Sequence, residues 1–147
     1  MVGTKWSATP WGMALSLVAV MAATAAPAAA QAHGQAPGRA RPAQRAVLTN
    51  SDNGRSVTAA LGDDVEVRLT GYRENGLTWT WSAPTSSDST VLRRTAGRTA
   101  PNGDASAVFH AVHDGTATIT AQRRCRPSAG HVCPMVVTPW KVTVEVK

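Results

Sequence analysis

The segment Trp140-Lys-Val-Thr-Val-Glu-Val146 alternates large apolar and polar residues without a break. That period puts every second side chain on one face of an extended chain, so the segment folds as a half-buried strand and not as a helix. The same period runs through Val65-Glu-Val-Arg-Leu69, Leu77-Thr-Trp-Thr-Trp81 and Ala105-Ser-Ala-Val-Phe-His-Ala-Val112. Arg55-Ser-Val-Thr-Ala-Ala-Leu61, Val91-Leu92 and Thr116-Ala-Thr-Ile-Thr-Ala121 add further candidates, rich in β-branched residues. Turn residues separate them: Gly62-Asp63-Asp64, the stretch 71–76, the polar connection 95–104, His113-Asp114-Gly115 and the stretch 122–134. Seven or eight short strands with turn signals at this spacing predict an all-β sandwich.

The start of the chain does not belong to that pattern. One cation at Lys5 precedes the apolar run Trp11-Gly-Met-Ala-Leu-Ser-Leu-Val-Ala-Val-Met21, and Ala28-Ala29-Ala30 offers small residues at cleavage spacing. This is the order of a signal peptide over 1–30, predicting secretion or a cell-envelope exterior location, with no stable membrane insertion after cleavage. Residues 31–45 hold Pro, Gly and Arg with no large apolar side chain, and read as a flexible lead-in. The folded unit is then 46–147, near the size of an immunoglobulin-like sandwich and enough for a single domain. The formal charge of +6 falls to +5 without Lys5, and Arg39, Arg41 and Arg45 carry three of those, leaving the unit at +2. A nucleic-acid partner calls for a concentrated basic patch, and none is expected.

Cys125 and Cys133 are the only cysteines. In an exported chain a close pair reads as one disulfide. No ligand pair has metal-site spacing, so neither metal nor cofactor is expected. Catalytic sets are missing too. Oxidised thiols are not nucleophiles. His110 and His113, three apart on a strand, face opposite ways. Asp63 and Asp64 read as solvated turn residues, and nucleophile-elbow and phosphate-cradling motifs are absent. The chain is therefore read as a non-enzyme. Trp79, Trp81 and Trp140 share faces with apolar neighbours and are expected in the core; the alternatives are a sugar-binding platform for the first two and a loop contact for Trp140.

The order of strands and loops resembles the chagasin-type inhibitors of papain-like cysteine peptidases. That family has Val-Glu-x-x-Leu, an Asn-Pro-Thr-Thr-Gly loop and an aromatic-x-Trp strand; here stand Val65-Glu-Val-Arg-Leu69, Tyr72-Arg-Glu-Asn-Gly76 and Leu77-Thr-Trp79. Pro101-Asn-Gly-Asp104 occupies the place of the family's glycine-rich middle loop. Gly115-Thr116 matches a Gly-Thr turn, Arg126-Pro127 matches part of Arg-Pro-Trp, and Val142 to Val146 match the closing strand. The first loop keeps only the family's glycine, the middle one has one glycine, and Ser128 stands where the family has tryptophan.

The resemblance implies an immunoglobulin-like sandwich that blocks a papain-like cysteine peptidase, as a monomer and without being cleaved. Its wedge would be Tyr72, Arg73, Glu74, Asn75 and Gly76, flanked by Asn102, Gly103 and Asp104 and by Arg126 and Pro127. The other reading is an extracellular adhesion or carbohydrate- or protein-binding module with no inhibitory activity.

Overall fold

The structure, a computed structural model, describes residue 38 and residues 40–147. The expected signal peptide and most of the lead-in lie outside the described residues. Ala40–Lys147 is one compact unit, and it contains the ten described strands, the core they enclose and the disulfide.

The elements are β1 (Arg45–Leu48), a 3-10 turn (Asn50–Asp52), β2 (Ser56–Ala59), β3 (Asp64–Leu69), β4 (Tyr72–Glu74), β5 (Leu77–Trp81), β6 (Thr85–Ser86), β7 (Leu92–Thr99), β8 (Ala105–Ala111), β9 (Gly115–Pro127) and β10 (Thr138–Val146). They form an all-β sandwich of two sheets, ordered β1-β3-β8-β7 and β2-β10-β9-β5-β4, with β6 pairing on β9. β1 runs parallel to β3 and β2 parallel to β10; the other pairs are antiparallel.

Alternation puts the core between the sheets. Val65, Val67 and Leu69 of β3 and Ala107 and Phe109 of β8 face Ile119 of β9 and Trp140, Val142 and Val144 of β10, all fully buried. Each large side chain so buried contributes roughly 1.5–3 kcal/mol. The buried indoles satisfy their N–H groups at the connections: Trp140 Nε1 donates to the Thr49 carbonyl at 3.0 Å and Trp81 Nε1 to the Thr70 carbonyl at 3.1 Å. Trp81 and Trp140 are core residues as expected; Trp79 is only half-buried.

Strand reaches further than alternation indicated. The expected connection 95–104 is β7 as far as Thr99, the expected loop 122–134 is β9 as far as Pro127, and β1, β4 and β6 bring the count among the described residues to ten. β7 lies at a sheet edge with only Leu92 buried, so its pairing is made by backbone groups, which leave no apolar period in the sequence. Asp63 is not solvated. It is buried, and its carboxylate accepts the N–H groups of Gln44 at 2.9 Å and Ala60 at 3.0 Å. The N–H of Gln44 first, then that of Ala60, holds its carboxyl below the usual carboxylate range.

Candidate functional site

β9, at 13 residues, is long enough to pair with β5 beyond the stretch where it pairs with β10. Its last five residues pair with β5, from Arg123 opposite Trp81 to Pro127 opposite Leu77. β4 pairs in turn on the outer edge of β5, with Tyr72 opposite Trp79. Asn75 and Gly76 join β4 to β5 with φ of 50° and 75°. A two-residue Asn-Gly turn with both φ values positive is the type I′ hairpin that matches strand twist. The expected wedge loop 72–76 is therefore mostly strand: Tyr72, Arg73 and Glu74 belong to β4, and only Asn75 and Gly76 form the tip.

Loop 128–137, between β9 and β10, closes over that tip. The Ser128 N–H donates to the Gly76 carbonyl at 2.9 Å, and a side chain at position 76 would run into the His131 ring. Cys125 and Cys133 are bonded, with Cα atoms 5.7 Å apart, which pins the loop to β9. Arg126 and Pro127 pair with Thr78 and Leu77, beside the tip.

The middle segment sits elsewhere. The β7–β8 turn carries Asn102, Gly103 and Asp104 against the base of β5, where the Trp81 N–H donates to the Gly103 carbonyl at 2.9 Å. Gly103 has φ of +96°, and a Cβ there would lie 2.6 Å from the Trp79 carbonyl oxygen, so only glycine allows this approach. Asp104 accepts the Gly71 N–H at 2.7 Å. Thr80, which Gly103 approaches, follows the tip-proximal Leu77 of β5 by three positions, which sets this turn back by about 10 Å along the strand. The fold thus joins the first and third expected segments and places the second lower, at the same end.

Arg123, within the stretch expected as the loop 122–134, lies instead on strand β9. It has the same parity as Ala121 and Cys125 and points to the inner face of its sheet. Its guanidinium lies 5.4 Å from the Tyr72 ring, 5.3 Å from Trp79 and 5.6 Å from Trp81. Tyr72 and Trp79 are themselves stacked, with centroids 5.9 Å apart. Cation and rings cover one another at the end of the sheet. Trp79 is therefore a wall of a cation–aromatic stack and not part of a flat open platform.

Val132, Met135, Val136 and Val137 are also exposed on loop 128–137. Val132 stands in the expected loop 122–134 and the other three lie just beyond it, unassigned from the sequence; the run Val132 to Val137 around Cys133 is the available signal. His110 and His113 do not meet: His110 Nδ1 lies 2.9 Å from Asp64 Oδ1, and His113 Nδ1 lies 2.8 Å from the Thr90 carbonyl. Among the described residues there is no group of three potential metal-ligating side chains, and no helix is long and apolar enough to cross a membrane.

No protein-family model matches the sequence, and no curated protein matches it. Solved structures do. A cysteine protease inhibitor of Entamoeba histolytica, EhICP2, is 14% identical, with a TM-score of 0.49, over 73% of this chain and 99% of its own. An inclusion body protein of Burkholderia cenocepacia is 11% identical, with a TM-score of 0.42, over 63% of this chain and 59% of its own. PbICP-C, solved in complex with falcipain-2, is 14% identical, with a TM-score of 0.40, over 71% of this chain and 91% of its own.

Proposed function

We propose that the mature domain is an exported, non-catalytic, reversible inhibitor of papain-like cysteine peptidases, acting through the end that carries the β4–β5 tip. The motif order from Val65 to Val146 supports the peptidase class. The observation that carries the reading is the joining of the tip to loop 128–137, through the Ser128 to Gly76 hydrogen bond and the disulfide. Segments fixed before contact lose little conformational entropy on binding, and that is how a small surface reaches useful affinity.

In this mechanism Asn75 and Gly76 lead into the cleft, with Arg126 and Pro127 beside them and Asn102, Gly103 and Asp104 touching the cleft rim. The tip offers backbone polar groups and no scissile side-chain pocket filler. Arg73 and Glu74, exposed on β4, would stay at the rim, where a charge keeps its hydration.

The test is titration of the oxidised domain, residues 40–147, against papain while following a fluorogenic peptide substrate. Stoichiometric reversible inhibition, weakened by Gly76→Val and not by Thr58→Ala on the remote strand β2, supports the reading. Absence of inhibition at tens of micromolar by a folded domain sinks it, and the adhesion reading takes its place.

A further inference from the structure

We propose that loop 128–137 is a docking tip for anionic membrane surfaces, independent of any peptidase. Its apolar side chains are displayed and not packed: Val132 is 88% exposed, Met135 is fully exposed, and Val136 and Val137 are 56% and 51% exposed. They are also held in place. Cys133 lies between Val132 and Met135 and is bonded to β9, and the His131 N–H donates to the Ser128 carbonyl at 3.0 Å. A covalently pinned loop that presents four apolar side chains to water within the stretch 132–137 marks an interaction site.

The cations around it select the partner. Arg124 and Arg126 are exposed on the strand end that feeds the loop, and Arg73 is exposed on the neighbouring hairpin. Among the described residues none of the three lies in an ion pair; Arg93, Arg94 and Arg98 on β7 are likewise outside one, but they do not border these apolar side chains in sequence or strand pairing, and Arg41, Arg45, Arg55 and Arg68 of the body are all paired. Glu74 at the hairpin and Asp104 on the β7–β8 turn are the acids at this end, and Asp104 is engaged by Gly71 and Asn102. Protruding aliphatic groups flanked by uncompensated arginines complement a bilayer interface, where methyl groups enter the acyl boundary and guanidinium groups remain among phosphates. A protein partner would call for aromatic anchors, since valine is under-represented among the residues that dominate protein interfaces. The attachment is peripheral, because the loop falls far short of the about 20 apolar residues needed to cross a bilayer.

The experiment is co-sedimentation of the oxidised 40–147 domain with vesicles of phosphatidylcholine alone, or of phosphatidylcholine with phosphatidylglycerol. Binding is expected with the phosphatidylglycerol vesicles only, and should be released by salt as the Debye length shrinks. Met135→Asp with Val136→Asp should lower the partition coefficient by at least about tenfold. Arg124→Glu with Arg126→Glu should lower it by at least about tenfold and abolish the salt dependence. All four positions are exposed, so an unchanged near-ultraviolet circular dichroism spectrum would certify the fold of each variant. A folded domain that does not sediment with anionic vesicles overturns the proposal, as does binding that survives both double variants or binding equal on the two vesicle types. Loss of papain inhibition in Met135→Asp with Val136→Asp, without vesicle binding by the parent, assigns the loop to a protein partner and overturns it as well. The vesicle result does not depend on the peptidase titration, so each reading can fail alone.

Discussion

The sandwich body and the ribbon that leaves it are built on different physics. The body is two sheets facing one another, and nearly every inward position is aliphatic or aromatic. In the ribbon of β4, β5 and the end of β9 only Trp81 is buried in that core; the other side chains are half-buried or exposed. The ribbon keeps its shape through a type I′ turn, a disulfide and an arginine set among three rings. One region is stabilised by excluding water from a shared interior, the other by a few localised constraints. Constraints of the second kind hold a surface rigid while leaving its side chains exposed to a partner.

The comparison is tested most severely in the core. Phe109→Ala should cost about 3–5 kcal/mol, because the side chain is fully buried between the sheets. The domain would unfold at a much lower temperature, with ribbon and body lost in one transition. Cys125→Ser should cost up to about 2–3 kcal/mol, the model entropy of opening so short a loop. Here the expected pattern differs: a modest fall in melting temperature, with protease cleavage appearing within 128–137 before the body is cut. Cleavage of body and loop at the same rate would mean that the ribbon is not a separate unit of stability.

Arg123→Met should have a smaller effect, about 0.5–2 kcal/mol for the loss of a partly desolvated cation–π contact. Methionine keeps the length and loses the charge, so the change reports on the cation and not on a void. Near-ultraviolet circular dichroism should lose intensity from Tyr72 and Trp79 while the melting temperature moves by a few degrees. An unaltered aromatic spectrum would show that the guanidinium only happens to lie over the rings.

The same contrast explains what could be read from the sequence. Val65 to Leu69, Leu77 to Trp81, Ala105 to Ala111 and Trp140 to Val146 are strands with one wet and one buried face, and that asymmetry is written as a period of two. β7 reads Leu-Arg-Arg-Thr-Ala-Gly-Arg-Thr and has no such asymmetry, because the sheet edge leaves almost all of it exposed. The end of β9 reads Gln-Arg-Arg-Cys-Arg-Pro and pairs through its backbone with none of its side chains buried. The hairpin was legible in principle, since Asn75-Gly76 between two pairing segments is a strong local turn signal. Reading 72–76 as one loop hid it. The position of Arg123 followed from its parity with Ala121, but an arginine on an inner face becomes intelligible only when the three rings around it are known.

Acid should separate the two regions by the smallest margin. The carboxylates held below their ordinary range all belong to the body. Thr49 N–H lowers Asp52, Gln44 N–H lowers Asp63, His110 lowers Asp64, Arg68 lowers Glu66 and Thr90 lowers Asp88. A carboxyl lowered by folding adds stability above its unfolded pKa, and that contribution is lost as pH falls through the folded value. The melting temperature should therefore be level between about pH 5 and 7 and decline below about pH 4, where unfolded carboxylates take up protons. Asp63→Asn should lower the neutral plateau and flatten the acid decline, because a carboxamide has one oxygen to offer the two N–H groups of Gln44 and Ala60 and does not titrate. If acid instead removed the Tyr72 and Trp79 dichroism while the melting temperature stayed level, the ribbon would be the acid-sensitive part, and its stability would rest on charge more than on the turn, the disulfide and the cation–aromatic stack.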